Sequence, residues 1–367
     1  MIFRTCLCVV LTACAVLTPA TLHAREYRGM EKKNIALESA TTLVFGPDDI
    51  LFIGDSKAAT VVAVATGDTG EGSHGHSIQI DDVLAKLAAH TKAEQVAIQD
   101  LVVNPRTGTP FLAVHADQKP LIIKVVGDGN FEVLDLQACP SSQAVLDDAP
   151  EDKVVRQGRR SRNPRDDSIT DLAFFENKLL VSGLRDAVAS STVRELSFPF
   201  GNQERGVGVQ IYHAAHGREE DTAAMRTFVP LMIDGEPTIV GAYVCTPLVK
   251  ISVEDLSGAG ESVNATTVAE LGNRNRPLDM VSYEQDGEGY LLLSNSARGV
   301  MKIPTTGLGE ATELAEPVRG GGTAGQSYET VESLDGILEM DRQGDKSLLV
   351  LLQDDKGLQR LQTVPLP

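Results

Sequence analysis

Short apolar runs separated by Gly-, Pro- and Asp-rich turns recur along this chain in a fixed order: a run, a turn, a second run, a polar tip and a third run. The clearest copy is Leu43-Val44-Phe45, the turn Gly46-Pro47-Asp48-Asp49, then Ile50-Leu51-Phe52-Ile53-Gly54-Asp55 and Thr60-Val61-Val62-Ala63-Val64. Further copies open at Leu101, Leu172, Phe228, Met280 and Ile337. Gly supplies positive φ in such turns, and Pro and Asp favour turn positions. The second runs, such as Leu179-Leu180-Val181 and Leu348-Leu349-Val350-Leu351-Leu352, are continuously apolar. That predicts strands buried on both faces, as in a sheet packed between two others. A repeat of this length holds four strands and one generous loop, the content of a propeller blade. The fold expected is all-β: a six-bladed β-propeller of four-stranded antiparallel sheets, with a seventh, degenerate blade between Val207 and Thr227 left open. A β-sandwich would not repeat one module six times.

Other segments read as insertions. Asp81 and Asp82 precede Val83, Leu84, Leu87 and Ala88 at helical spacing, which predicts a short surface helix over 80–90. Residues 140–167 are polar and aperiodic, with Arg156, Arg159, Arg160, Arg162 and Arg165 clustered, and read as a self-neutralising loop. Gly320-Gly321-Gly322 reads as a linker into the last copy. Because that copy ends almost at the C-terminus, Tyr27 to Leu37 is expected to supply the outer strand of the final sheet.

The first residues change the picture of where the chain works. Arg4, the apolar stretch Leu7 to Leu17 and Leu22-His23-Ala24 form an export signal over 1–24, which leaves one propeller domain over 25–367. A secreted or periplasmic protein follows, without a transmembrane segment, since the stretch is too short to span a bilayer. Leu11-Thr12-Ala13-Cys14 keeps open a lipoprotein anchored at Cys14. Cleavage after Ala24 leaves Cys139 and Cys245, which fall in different copies too far apart for a disulfide. With 33 basic against 51 acidic residues and a net charge of −18, the chain repels phosphate backbones, which excludes nucleic acid as a partner. The absence of Trp argues against a sugar- or base-stacking platform.

In an antiparallel meander the start of the first strand and the end of the second lie at one end of the sheet. A ring of meanders therefore gathers two sets of residues at one mouth of its channel. Ahead of the first runs stand Glu38, Asp100, Asp171, Arg276, Asp279 and Asp335; beyond the second stand Asp55, His115, Asp117, Arg185, Asp186, Asn295 and Asp354. Short polar turns prefer Asp and Asn, which accounts for many of them. The ligand-binding candidates are Asp55, Asp100, His115, Asp117, Asp171, Arg185, Arg276, Asp279, Asn295 and Asp354. Glu38, Asp171 and Asp279 are candidate oxygen ligands for a divalent cation such as Ca²⁺. Motifs for covalent haem, zinc proteases, nucleophile elbows and phosphate loops are absent. His74 and His76, and likewise His213 and His216, supply too few ligands alone for a structural zinc site.

The copy 43–55, together with Leu334-Asp335-Gly336-Ile337, resembles blades of NHL-repeat and gluconolactonase/regucalcin-like propellers. The resemblance implies a divalent metal held at the channel mouth by Glu, two Asn and Asp, with Glu38 matching the Glu. The Asn-Gly that opens a later blade in that family is replaced here by Pro277-Leu278-Asp279. The function expected is therefore that of an exported binding module, presenting its channel mouth to a small molecule or protein. A metal-assisted hydrolase or lactonase is the alternative.

Overall fold

A computed structural model describes residues 27, 29–69, 76–157, 160–186, 188–201 and 205–367. The expected export signal, Cys14, His74 and Arg159 lie outside the described residues. The chain is an all-β propeller arrangement of four-stranded antiparallel sheets with little helix. Among the described residues no helix is long and apolar enough to cross a membrane.

Each copy read from the sequence is an antiparallel meander. Meander I joins Thr42–Phe45, Ile50–Asp55 and Thr60–Ala65, and its outer strand is Pro140–Val145. Meander II is Val96–Val103, Pro110–Ala116, Lys119–Val126 and Asn130–Val133. Meander III is Asp171–Phe175, Lys178–Arg185, Ser190–Ser197 and Val207–His213, and IV is Met225–Ile233, Glu236–Tyr243, Pro247–Ser252 and Ser262–Glu270. Val207–His213 turns away from III after two paired positions and runs parallel to Ser262–Glu270, so III and IV share one continuous sheet. Meander V is Pro277–Gln285, Glu288–Asn295, Gly299–Pro304 and Glu329–Thr330. Meander VI is Ile337–Arg342, Ser347–Gln353 and Gln359–Pro365, completed by Gln79–Ile80.

The first strands touch in a closed cycle: II against I, I against III, then IV, V and VI, and VI back against II. Meanders I and II are thus exchanged relative to chain order. The chain leaves I, closes VI with Gln79–Ile80, builds II, and only then returns to add the outer strand of I. An apolar cluster fills every joint. Second strands feed two clusters at once, because successive side chains face opposite sides of a sheet. Phe52 joins the I/III cluster, stacked 5.6 Å from Phe174, while Leu51 and Ile53 join I/II. Leu112 faces VI and Phe111 faces I; Leu349 faces II and Val350 faces V. The continuous apolar runs have this cause.

Two expectations are corrected here. Glu31–Lys32 does not close the final sheet but pairs with Pro140–Ser141 at the edge of meander I. Gln79–Ile80 closes it instead; two paired residues inside a polar stretch carry no periodic signal. Residues 140–167 are not one loop: they hold the outer strand of I, the hairpin Val155–Gln157/Arg160–Arg162 and a 3₁₀ turn at Pro164–Asp167. The helix appears at Val83–Thr91, capped by the Asp82 carboxylate, which accepts the Ala85 N–H at 3.0 Å. Cys139 and Cys245 are both free thiols.

Ile80 is buried beside Val83, Leu87, Leu349 and Leu361, so closure rests on it. Ile80→Ala should cost about 2–5 kcal/mol in chemical denaturation. Alanine at the exposed Glu31 and Lys32 should cost less than about 0.5 kcal/mol. The reverse ranking would return ring closure to the N-terminal strand.

Candidate functional site

The first strands line a channel, and four of them carry an aspartate that performs the same task. Asp100, Asp171, Asp279 and Asp341 each accept, on Oδ1, the N–H of the following residue at 2.7 Å. On Oδ2 each accepts an N–H from the first strand of the neighbouring meander. Leu43 donates to Asp100, Phe228 to Asp171 at 2.8 Å, Met340 to Asp279 at 2.6 Å and Val103 to Asp341 at 2.7 Å. The residues preceding Leu43 and Phe228 in meanders I and IV are Thr42 and Thr227, so those two strands donate without returning a carboxylate. The I/III joint uses hydroxyls instead: Ser56 Oγ donates to the Ile169 carbonyl at 2.8 Å, and Ser168 Oγ to that of Ser56 at 2.9 Å.

Asp100, Asp171 and Asp279 form the waist between two cavities. The one at the mouth holds about 530 Å³ and is also lined by Glu38, Lys57, His115, Asp167, Arg226, Arg276 and Glu339. The one at the opposite end holds about 480 Å³ and adds Asp341 and Arg342. Burial of so many carboxyls together raises their affinity for protons. Burial pushes Asp171 up to about 7, with the charge of Asp279 adding to it. It lifts Asp279 to about 6 against its two backbone hydrogen bonds, and Asp341 to about 7. Asp100 is driven well above the carboxylate range by burial and then by Asp279 and Asp171. Glu339 is raised in the same way by burial, Asp279, Asp100 and Asp171, with Arg276 pulling it back.

Glu339 is the exception among them, because its carboxyl makes no hydrogen bond to any described residue. Above the acids, Arg226 is spent on Asp167 at 2.6 Å, while Arg276 is opposed by Glu339 and loses basicity through burial and Arg226. His115 Nε2 accepts the Ala40 N–H at 3.2 Å, which places the ring proton on Nδ1, and burial lowers its pKa.

Of the residues singled out from sequence, Glu38, Asp100, His115, Asp171, Arg276 and Asp279 come together at this mouth. The other five do not line it. Asp55 is buried and accepts the N–H groups of Glu38, Ser39 and Ala58, tying down the entry to meander I. Asp117 accepts from Glu94 and Gln95 N–H in a turn of positive φ. Arg185 donates to the carbonyls of Gly206 and Glu261. Asn295 bonds Asn275 and the Leu293 carbonyl, and Asp354 accepts from Lys356, Leu358 and Arg360. Glu38, Asp171 and Asp279 line one cavity, yet their oxygens are not gathered into a preformed cage. Among the described residues the one group with three ligand atoms within 4.8 Å is His213, His216 and Cys245, away from the channel.

Glu339, Asp341, Arg226 and Asp167 were not singled out. A usable signal exists in Leu338-Glu339-Met340-Asp341, where acids take every second position of a first strand and so share its channel face.

No family model matches the chain, and no curated protein matches it either. Solved structures similar to it include a WD40 domain and a β-propeller domain. The C-terminal WD40 domain of Sif2 is 11% identical, with 92% of this chain and 98% of that chain covered and a TM-score of 0.36. The Cps50 (Swd1) β-propeller domain of Myceliophteria thermophila is 9% identical over 89% and 84%, with a TM-score of 0.38. A 6-phosphogluconolactonase-like protein of Bacteroides uniformis is 9% identical over 87% and 74%, with a TM-score of 0.34. At these TM-scores the likeness carries no argument about fold or activity.

Acids whose folded pKa lies above the unfolded value bind extra protons in the native state, so their contribution to stability is full below about pH 4 and is lost as pH rises through the folded values. With Asp279 at about 6 and Asp171 and Asp341 at about 7, stability should fall between pH 5 and pH 8. Glu339→Gln should flatten that fall. Denaturation midpoints at pH 5, 6.5 and 8 test it; a wild-type midpoint that climbs over this range would contradict the placement of the acids.

Proposed function

We propose that this chain is an exported propeller of six blades, one per meander, that binds a small polar ligand at its channel mouth. The blade count rests on the closed cycle of first strands and on the cluster at each joint, with meanders III and IV counted apart despite their shared sheet. Export rests on residues 1–24, and the single propeller domain on 25–367.

The observation that carries the binding reading is Glu339. Glu339 is half-buried and crowded by neighbouring acids, its carboxyl holds no donor among the described residues, and a ligand donor would offset that crowding. The carboxyl faces a cavity whose volume is within the range of small-molecule sites. The ligand this favours offers an ammonium or hydroxyl group to Glu339 and the waist below it, and a carboxylate or other acceptor to Arg276. Amino acids, amino sugars and hydroxy acids have that polarity.

A hydrolytic reading is supported by the same floor. Two neighbouring carboxyls, Asp279 at about 6 and Glu339 raised well above the ordinary carboxylate range by burial and the neighbouring acids, suit a division of acid and base roles. Asp279 would activate water and Glu339 would protonate the leaving group. The metal-assisted form requires Glu38, Asp171 and Asp279 to converge on an added cation.

The test is a thermal-shift panel of amino acids, amino sugars, hydroxy acids, lactones and Ca²⁺ on the purified protein, followed by calorimetry of each hit. Glu339→Gln and Arg276→Ala should each weaken a genuine hit by about tenfold or more, the worth of one charge-assisted hydrogen bond. Binding of an ammonium compound should tighten as pH rises through 6 to 7, because it favours the ionised floor. Hits that bind both variants as well as wild type would remove the channel mouth from consideration. Turnover of a lactone that Glu339→Gln abolishes would favour the hydrolase.

A further inference from the structure

We infer that His213, His216 and Cys245 form a binding site for one thiophilic transition-metal ion of the zinc type, at the outer edge of meanders III and IV and separate from the channel. The two histidines come from the turn that ends Val207–His213. His216 and Gly217 N–H both return to the His213 carbonyl, at 3.0 and 2.8 Å, and Gly217 takes φ 65°. This folds residue i+3 back over residue i, and the imidazole centroids lie 3.9 Å apart. Cys245 sits in the turn between Glu236–Tyr243 and Pro247–Ser252 at φ 67°, a conformation that Gly or Asn adopts more cheaply. Its N–H is held by the Asn275 carbonyl at 2.8 Å.

One ligand atom from each residue lies within 4.8 Å of the other two. Tetrahedral zinc, with bonds of about 2.1 Å to nitrogen and 2.3 Å to sulfur, needs separations of about 3.6 Å, so small side-chain shifts close the site.

The surroundings are those of a metal centre. Glu220 spans both rings: Oε2 lies 2.7 Å from His213 Nδ1 and Oε1 lies 2.8 Å from His216 Nδ1. A carboxylate there fixes each proton on Nδ1 and leaves each Nε2 as a free lone pair, the usual outer-shell device behind a metal-bound histidine. Arg218 Nε holds the same carboxylate at 2.9 Å.

His213 is 2% exposed, and its Nε2 is buried without a hydrogen-bond partner. A purely structural His213–Glu220 pair explains Nδ1 and leaves that orphan unexplained. Glu270 stands behind the turn, its Oε2 accepting the Ala215 N–H at 3.1 Å and its buried Oε1 unpartnered. His216 is exposed, so the fourth position opens to solvent. Two imidazoles and one thiolate with an open fourth position suit zinc or copper, not a hard oxygen-seeking cation.

The experiment uses full-length protein, reduced and stripped with chelator, titrated with Zn²⁺ against a chromophoric competitor and separately with Co²⁺ by absorbance. One zinc per chain is expected, with a thiolate-to-cobalt charge-transfer band. Cys245→Ser should abolish the band, and His216→Gln, at an exposed position, should abolish stoichiometric zinc uptake. Glu220→Gln, which keeps all three ligands, should weaken zinc by about 10- to 100-fold. Glu339→Gln in the channel should leave the isotherm unchanged, which separates this site from the ligand proposed at the mouth. No uptake, an unaltered isotherm in Cys245→Ser and His216→Gln, or loss of zinc on Glu339→Gln would each overturn the assignment.

Discussion

No strand pairing joins the first strands of adjacent blades around the channel, so their backbone N–H groups need acceptors from elsewhere. Asp100, Asp171, Asp279 and Asp341 meet that need by spanning the joint, with one oxygen on their own strand and the other on the next. A backbone donor buried without an acceptor costs on the order of a lost hydrogen bond, so these side chains secure four of the joints that the apolar clusters pack. Any solution of this kind places carboxylates where the strands converge. The acidity of the channel is thus first a structural consequence, and only then a chemical resource.

That consequence has its own cost. Carboxyls crowded together and partly desolvated cannot all ionise, and their proton affinities rise toward neutrality. The four aspartates are compensated in part by the N–H groups they accept, whereas Glu339 has no such compensation and faces Arg276 across the cavity. An acid that already holds two backbone N–H groups is tied into the ring, whereas Glu339, which holds none among the described residues, keeps its whole acceptor capacity for a ligand. Asp55 and Asp354 fall on the structural side by the same count.

The blade skeleton was legible because burial on both faces leaves continuous apolar runs, and Leu51-Phe52-Ile53 or Leu348 to Leu352 can hardly be read otherwise. The exchange of meanders I and II was not, since it is decided by Gln79–Ile80 and Pro140–Val145, outer strands half exposed to solvent and correspondingly polar. The mouth was half legible. Position at a strand end identified Asp100, Asp171, Arg276 and Asp279, yet gave the same weight to Asp117 and Asn295, whose side chains turn back into local backbone. Glu339 escaped because it lies inside a first strand, where only the two-residue period marks it. His213 and His216 looked short of ligands because Cys245 is 29 positions beyond His216 and reaches them through the fold alone.

The peripheral histidine-thiol cluster and the shared sheet of III and IV bear on one another. His213 ends the strand that leaves meander III to run parallel to Ser262–Glu270, while Cys245 belongs to a turn of meander IV. An ion bound between them would tie the far end of that strand to meander IV, beyond Val207 and Gly208, the two positions at which it pairs with III. Metal affinity gained in the folded ring and absent from the unfolded chain is added to folding stability. The oxygen-lined channel and the nitrogen–sulfur edge also differ in hardness, so a zinc-like ion and a hydroxylated or ammonium ligand would not compete. Occupying the edge would then stiffen the III/IV joint, whose first strands supply Asp171 and Arg226 to the mouth, and so would steady one wall of the cavity without entering it.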